Sequence, residues 1–140
     1  MKQVLFFLLV FYSTATFAKV ETDTINNWQL YKDNKLIFKS NEVEKSFKTI
    51  EIKSNDNFKV LKFNIFYDFF GDKTSKKIEF IVDNKVVSVL TKENEAVESF
   101  VIERPKIKDL ISNFKNKTVK LKYYDKIYPK GIIVCQLKFI

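Results

Sequence analysis

Short apolar alternations, each broken by a turn signal, constrain this chain more than any other feature. Val119, Leu121 and Tyr123 alternate with Lys120, Lys122 and Tyr124, and Ile133, Cys135, Leu137 and Phe139 alternate close to the chain end. A period of two puts successive side chains on opposite faces, so each run describes a strand with one buried face. Within the aromatic run 58–70, Leu61, Phe63, Ile65 and Tyr67 make one face, while Phe58, Val60, Lys62, Asn64 and Phe66 make a mixed one. Trp28-Gln-Leu-Tyr31 and Leu36-Ile-Phe38 flank Asp33-Asn34, and Ile78–Val82 and Val86–Leu90 flank Asp83-Asn84; both are hairpin signals. Further strands are expected over 47–53, with Ile50 and Ile52 on one face, and over 97–102. The segments 41–45, 54–57, 71–75 and the acidic 91–96 read as connections.

One segment has a different period. Ile107, Leu110, Ile111 and Phe114 recur at i, i+3, i+4 and i+7, which predicts an amphipathic helix over 106–115. Arg104-Pro105 stops the strand before it, and Asn116 suits a left-handed cap after it. With only two glycines in the chain, Asn and Asp must supply the tight turns. The expected fold is mainly β: an antiparallel β-sandwich, or a partly open barrel, of about eight strands with one short helix.

The N-terminus carries the compartment signal. Lys2 precedes an apolar run from Val4 to Tyr12, then small residues with Thr16 and Ala18 at the −3 and −1 positions of a cleavage site. This is the pattern of a secretory signal peptide over 1–18, and the run is too short to span about 30 Å of hydrocarbon. Residues 19–27 form a polar leader and 28–140 a single domain of a size that needs no disulfide. The expected location is outside the cytoplasm, periplasmic or secreted, with no membrane span after cleavage. Cys135, the lone cysteine, shares its expected face with Ile133, Leu137 and Phe139, so a buried inert thiol is favoured over an intermolecular link.

Catalytic chemistry finds little support. The chain contains no histidine, which removes Ser-His-Asp and Cys-His catalysis and most zinc and copper sites. Two glycines leave no phosphate loop or dinucleotide fingerprint. Asp68 and Asp72 bracket a turn, and Glu93, Glu95 and Glu98 lack the ligand order of a calcium loop. A carboxylate-pair hydrolase would require two acids to meet in space. No catalytic residue, metal ligand or cofactor is therefore assigned.

Surface chemistry offers more. The formal charge is +8, yet Arg104 is the only arginine among 25 basic residues. Base readout and bidentate phosphate clamps favour arginine, so a nucleic-acid partner is disfavoured. Lys120, Lys122, Tyr124, Lys126, Tyr128 and Lys130 interleave cations with aromatic rings and form the candidate binding surface. Trp28, the only tryptophan, reads as a core anchor, with an exposed binding residue as the sharper alternative.

In layout the chain resembles small exported β-sandwich proteins of the invasion-associated locus B type and the type VI secretion-associated periplasmic proteins. Trp28-Gln-Leu-Tyr31 looks like their opening strand, Phe80-Ile-Val-Asp-Asn-Lys-Val86 like their hairpin, and Ile107–Phe114 with Thr118–Tyr123 like their helix and strand. The paired cysteines and glycine-containing C-terminal segment of that group are missing, so no active residue carries over. The resemblance implies an accessory or interaction role. Two functions are thus expected in order: a non-enzymatic protein that binds a protein partner in the envelope or outside the cell, and a lectin-like or anionic-surface binder of glycan or lipid.

Overall fold

The computed structural model describes residues 27–40, 49–66, 74–94 and 99–140. The expected signal peptide, nearly all of the leader, the connection 41–45, the Asp68/Asp72 turn, and Glu95 and Glu98 lie outside the described residues. The last leader residue, Asn27, is already in a strand.

The described strands are β1 (Asn27–Lys32), β2 (Lys35–Ser40), β3 (Thr49–Ile52), β4 (Val60–Phe66), β5 (Thr74–Val82), β6 (Lys85–Asn94), β7 (Phe100–Glu103), β8 (Thr118–Tyr124) and β9 (Ile132–Phe139), with helix α1 (Arg104–Phe114) between β7 and β8. One sheet has the order β2-β1-β4-β7 and the other β3-β9-β8-β5-β6. Among the described residues each sheet keeps two open edges, so the architecture is a sandwich and not a closed barrel. All pairings are antiparallel except β3 with β9.

Aspartate and asparagine do the turning. Asp83 and Asn84 both take positive φ, 49° and 62°, the backbone of a two-residue type I′ turn between Val82 and Lys85. Asp33 takes φ 52° in the β1–β2 turn. Its carboxylate accepts from the Lys59 amide at 2.8 Å and the Val60 amide at 3.0 Å, which fastens the turn to the start of β4. Those two amides, Lys59 first, hold the Asp33 carboxyl below its ordinary range.

The inward faces meet in one buried cluster. Trp28, Leu30, Leu61, Phe63 and Phe100 come from the four-stranded sheet, and Ile78, Phe80, Leu121, Tyr123, Leu137 and Phe139 from the other. Trp28 is 1% exposed, which settles it as a core anchor. Cys135 is fully buried, and burial pushes its thiol up, so no thiolate forms near neutral pH.

Helix α1 bridges the sheets by touching β7 of one and β9 of the other. Ile107, Leu110 and Ile111 are buried, and Phe114 packs against the core. The helix starts at Arg104, two residues earlier than the sequence predicts. Proline fits the first turn, where its missing N–H loses no intrahelical bond, so Pro105 begins the helix as well as ending the strand. Asn116 takes φ 63° and donates its amide to the Phe139 carbonyl at 2.7 Å, tying the helix end to the last strand.

Other boundaries also differ. Pairing of β5 with β6 runs on to Thr74 and Asn94, so residues expected in connections at 74–75 and 91–94 are strand. Phe58 precedes β4 and is buried, not part of its outward face. A register shift between Leu121 and Lys122 places Cys135 opposite Leu121 but Ile133 opposite Lys122. Ile133 therefore leaves the inward face, Ile132 continues it opposite Tyr123, and the extra residue, Val134, is buried.

Leu110→Ala should lower unfolding free energy by about 2–5 kcal/mol, since it removes a buried side chain where the helix seals the sandwich. Denaturant unfolding followed by circular dichroism measures this, and an unchanged midpoint would contradict the packing described.

Candidate functional site

The sheets sort the candidate residues by alternation. Val119, Leu121 and Tyr123 of β8 are buried, so Lys120, Lys122 and Tyr124 point outward from the five-stranded sheet. Neighbouring strands add to the same face. Lys77 lies opposite Tyr124 and Glu79 opposite Lys122 on β5, while Lys138 of β9 lies opposite Thr118 on one side and Glu51 on the other. The face thus carries Lys77, Lys120, Lys122 and Lys138 against Glu79 and Glu51. Lys77, Glu79 and Lys138 were missed by sequence reasoning. Their alternation with buried neighbours marks them as outward, but nothing local says which strands pair.

A compact network orders one part of this face. The Tyr124 hydroxyl donates to Glu79 Oε2 at 2.6 Å, and Lys77 Nζ donates to Glu79 Oε1 at 2.7 Å. Lys77 Nζ sits 4.0 Å and Lys122 Nζ 5.0 Å from the Tyr124 ring centroid. The hydrogen bond from Lys77, and then that from Tyr124, hold the Glu79 carboxyl below its ordinary range. Tyr124 is therefore covered by cations and is no open stacking platform.

Lys126 and Lys130 lie exposed on the loop from β8 to β9, which returns beside Tyr124 and Lys122 at Gly131. Tyr128 departs from the expected surface. Its ring lies 6.0 Å from Trp28 and packs against the core, because indole and phenol bury more apolar area together than apart. Asp125 shapes this loop: its Oδ1 accepts from the Ile127 and Tyr128 amides, each at 2.8 Å, and its Oδ2 from the Tyr123 hydroxyl at 3.0 Å. Burial pushes the Asp125 carboxyl up, against the lowering effect of those two amides.

Two clefts flank the β1–β2 turn. The larger, about 440 Å³, is lined by Lys32, Asp33, Lys35, Asp56 and Phe58 among others, and the smaller, about 230 Å³, by Tyr31, Lys62 and Asn64 among others. Asp33 and Asp56 both line the larger cleft, where a hydrolase would need two acids. Both carboxyls are nevertheless held low. Burial opposes this at Asp56, but its bonds with Lys32 and the Lys53 amide prevail. A glycosidase pair needs one carboxyl protonated at working pH, and neither residue is poised for that. Among the described residues no group of three or more His, Cys, Asp or Glu side chains is placed to hold a metal ion. No described helix is long and apolar enough to cross a membrane.

Compared with known proteins, the chain matches no family model and no curated sequence.

Gly131 locks the loop against the sheet face. It takes φ 70°, and a Cβ there would lie 2.5 Å from Tyr124 Cε1 and 2.7 Å from Lys122 Cε. Gly131→Ala should cost at least about 1 kcal/mol from the left-handed backbone alone. It should also displace Tyr124, a shift visible as altered tyrosine resonances in two-dimensional NMR.

Glu79 gives a pH signature of definite sign. Its folded carboxyl lies below the ordinary 4.5, so its contribution is present above that value and is lost as pH falls through the folded value. The stability gap between wild type and Glu79→Gln should be constant near neutrality and close on acidification below about pH 4.5. Denaturant midpoints measured across pH 7 to about 2 test this, and a gap that widened with acid would reverse the assignment.

Proposed function

We propose that this is an exported, non-enzymatic accessory protein that binds a negatively charged surface through the lysine face of its five-stranded sheet. One observation carries the reading. Folding buries Trp28 and Tyr123 and packs Tyr128 against the core, while Lys120 and Lys122 face outward with Lys77 and Lys138, and Lys126 and Lys130 are exposed on the adjoining loop. Among the described residues, what this face offers a partner is chiefly positive charge, with no fully exposed aromatic ring. This favours an anionic surface over a stacked sugar, and so reverses the order of the two expected functions while dropping the lectin-like part. The composition of residues 1–18 supports export, and the layout similar to invasion-associated locus B proteins supports an accessory role.

A protein partner is the second reading, favoured by β6. This strand lies at the sheet edge and exposes Val86 and Val89, at 51% and 47%. Two features weaken it. The register slips between β5 and β6 beside Val86, and Lys85 and Lys92 stand on the strand; bulges and edge lysines both discourage strand addition.

Lys120→Glu, Lys122→Glu and Lys126→Glu combined should lower the salt concentration that elutes the protein from heparin, with the melting temperature kept. Binding by screened charge should weaken steeply with ionic strength in the wild type. Unchanged elution of the triple variant would remove this face from the function.

A further inference from the structure

We propose that the anionic surface is a lipid bilayer, and that the β8–β9 loop is the part that enters it, with Ile127 reaching the headgroup layer. This deepens the reading above and rests on it.

Ile127 is an apolar side chain left 39% exposed in the middle of the loop. Lys126, Pro129 and Lys130 around it are also exposed. A lone exposed isoleucine needs no explanation by itself. Here the loop that carries it is built with unusual care. Asp125 accepts the Ile127 amide directly and the Tyr128 amide beside it. Tyr128 is anchored against Trp28, so the residue after Ile127 turns into the core. Gly131 then presses the end of the loop onto Tyr124 and Lys122 of the sheet face, where no Cβ would fit. Ile127 is thus held between two fixed points, and a surface it enters need not pay to order the loop.

Charge supplies the second argument. Lys126 and Lys130 flank Ile127 at a distance of one and three residues, and Gly131 contacts bring Lys122 to the base of the same loop. Lys120, Lys77 and Lys138 continue the basic area across the sheet. An ammonium group is a point charge that serves a fluid field of headgroups well, whereas fixed phosphates are better clamped by arginine. Lysines gathered around an apolar insertion are the chemistry by which a protein lies on an anionic membrane without crossing it. A folded acidic protein fits less well, since stable interfaces centre on aromatic or arginine anchors, and the loop has turned its tyrosine inward.

The test uses the chain from Lys19 onward, which retains both sheets and the helix and lacks the apolar run 4–12. Sedimentation with vesicles of phosphatidylcholine containing about one third phosphatidylglycerol should carry the protein down, whereas vesicles of phosphatidylcholine alone should not. Ile127→Ser should weaken vesicle binding roughly tenfold, as expected for removing an inserted aliphatic side chain, while leaving heparin elution unchanged. Lys126→Gln with Lys130→Gln should weaken it by roughly fivefold per charge and should also shift heparin elution. Heparin retention without vesicle binding, or vesicle binding indifferent to Ile127→Ser, overturns the bilayer inference and leaves the basic-face reading standing. Loss of both retention and vesicle binding in the folded wild type overturns both.

Discussion

Trp28 of β1 packs against Tyr123 of β8, with ring centroids 5.7 Å apart, and against Tyr128 of the next loop. That contact links the first strand of one sheet to the centre of the other, and the remaining structure depends on it. An indole is the largest apolar surface a chain can bury, and the chain has one. With Trp28 and Tyr123 almost wholly buried, the sheets cannot slide at this end without opening the core. At another point of the interface α1 touches both sheets, and Asn116 ties its end to Phe139.

The same packing decides what the surface can do. A half-buried strand has two faces, and whatever the core does not take must face water. Here the core takes nearly all the described aromatic area and leaves lysine outside. Tyr124, one of the half-buried rings left outside it, is held by Glu79 and covered by Lys77 and Lys122. The outer face thus sets Lys77, Lys120, Lys122 and Lys138 among Glu79 and Glu51, with exposed Val86 and Val89 at its β6 edge. Such a surface attracts by field and not by shape, which suits an extended anionic partner.

Much of the fold was legible in short-range signals. Asp33-Asn34 and Asp83-Asn84 marked their turns because few residues other than glycine tolerate positive φ. Leu61, Phe63 and Ile65 marked their inward face, as did Val119, Leu121 and Tyr123, because alternation is a property of the strand itself. The lysines at 120 and 122 followed from the same rule. What failed was anything that depended on a neighbour. Ile133 was placed inward because a bulge is set by the pairing of β9 with β8. Tyr128 was placed outward because a loop has no period, and its inward turn depends on Trp28, a hundred residues earlier in the chain.

The sequence by itself determined the class of structure, the two Asp-Asn turns, the helix and the buried state of Cys135, all of which rest on local periodicity or backbone preference. Tertiary structure alone decided that Lys77 and Glu79 of β5 and Lys138 of β9 would stand with Lys120 and Lys122. It also decided that Gly131 would close against Tyr124. These are contacts between strands whose order in the sheet, β3-β9-β8-β5-β6, bears no simple relation to their order in the chain. Such an order is chosen by how two whole apolar faces close on each other, a balance of packing over the entire core that no single segment encodes.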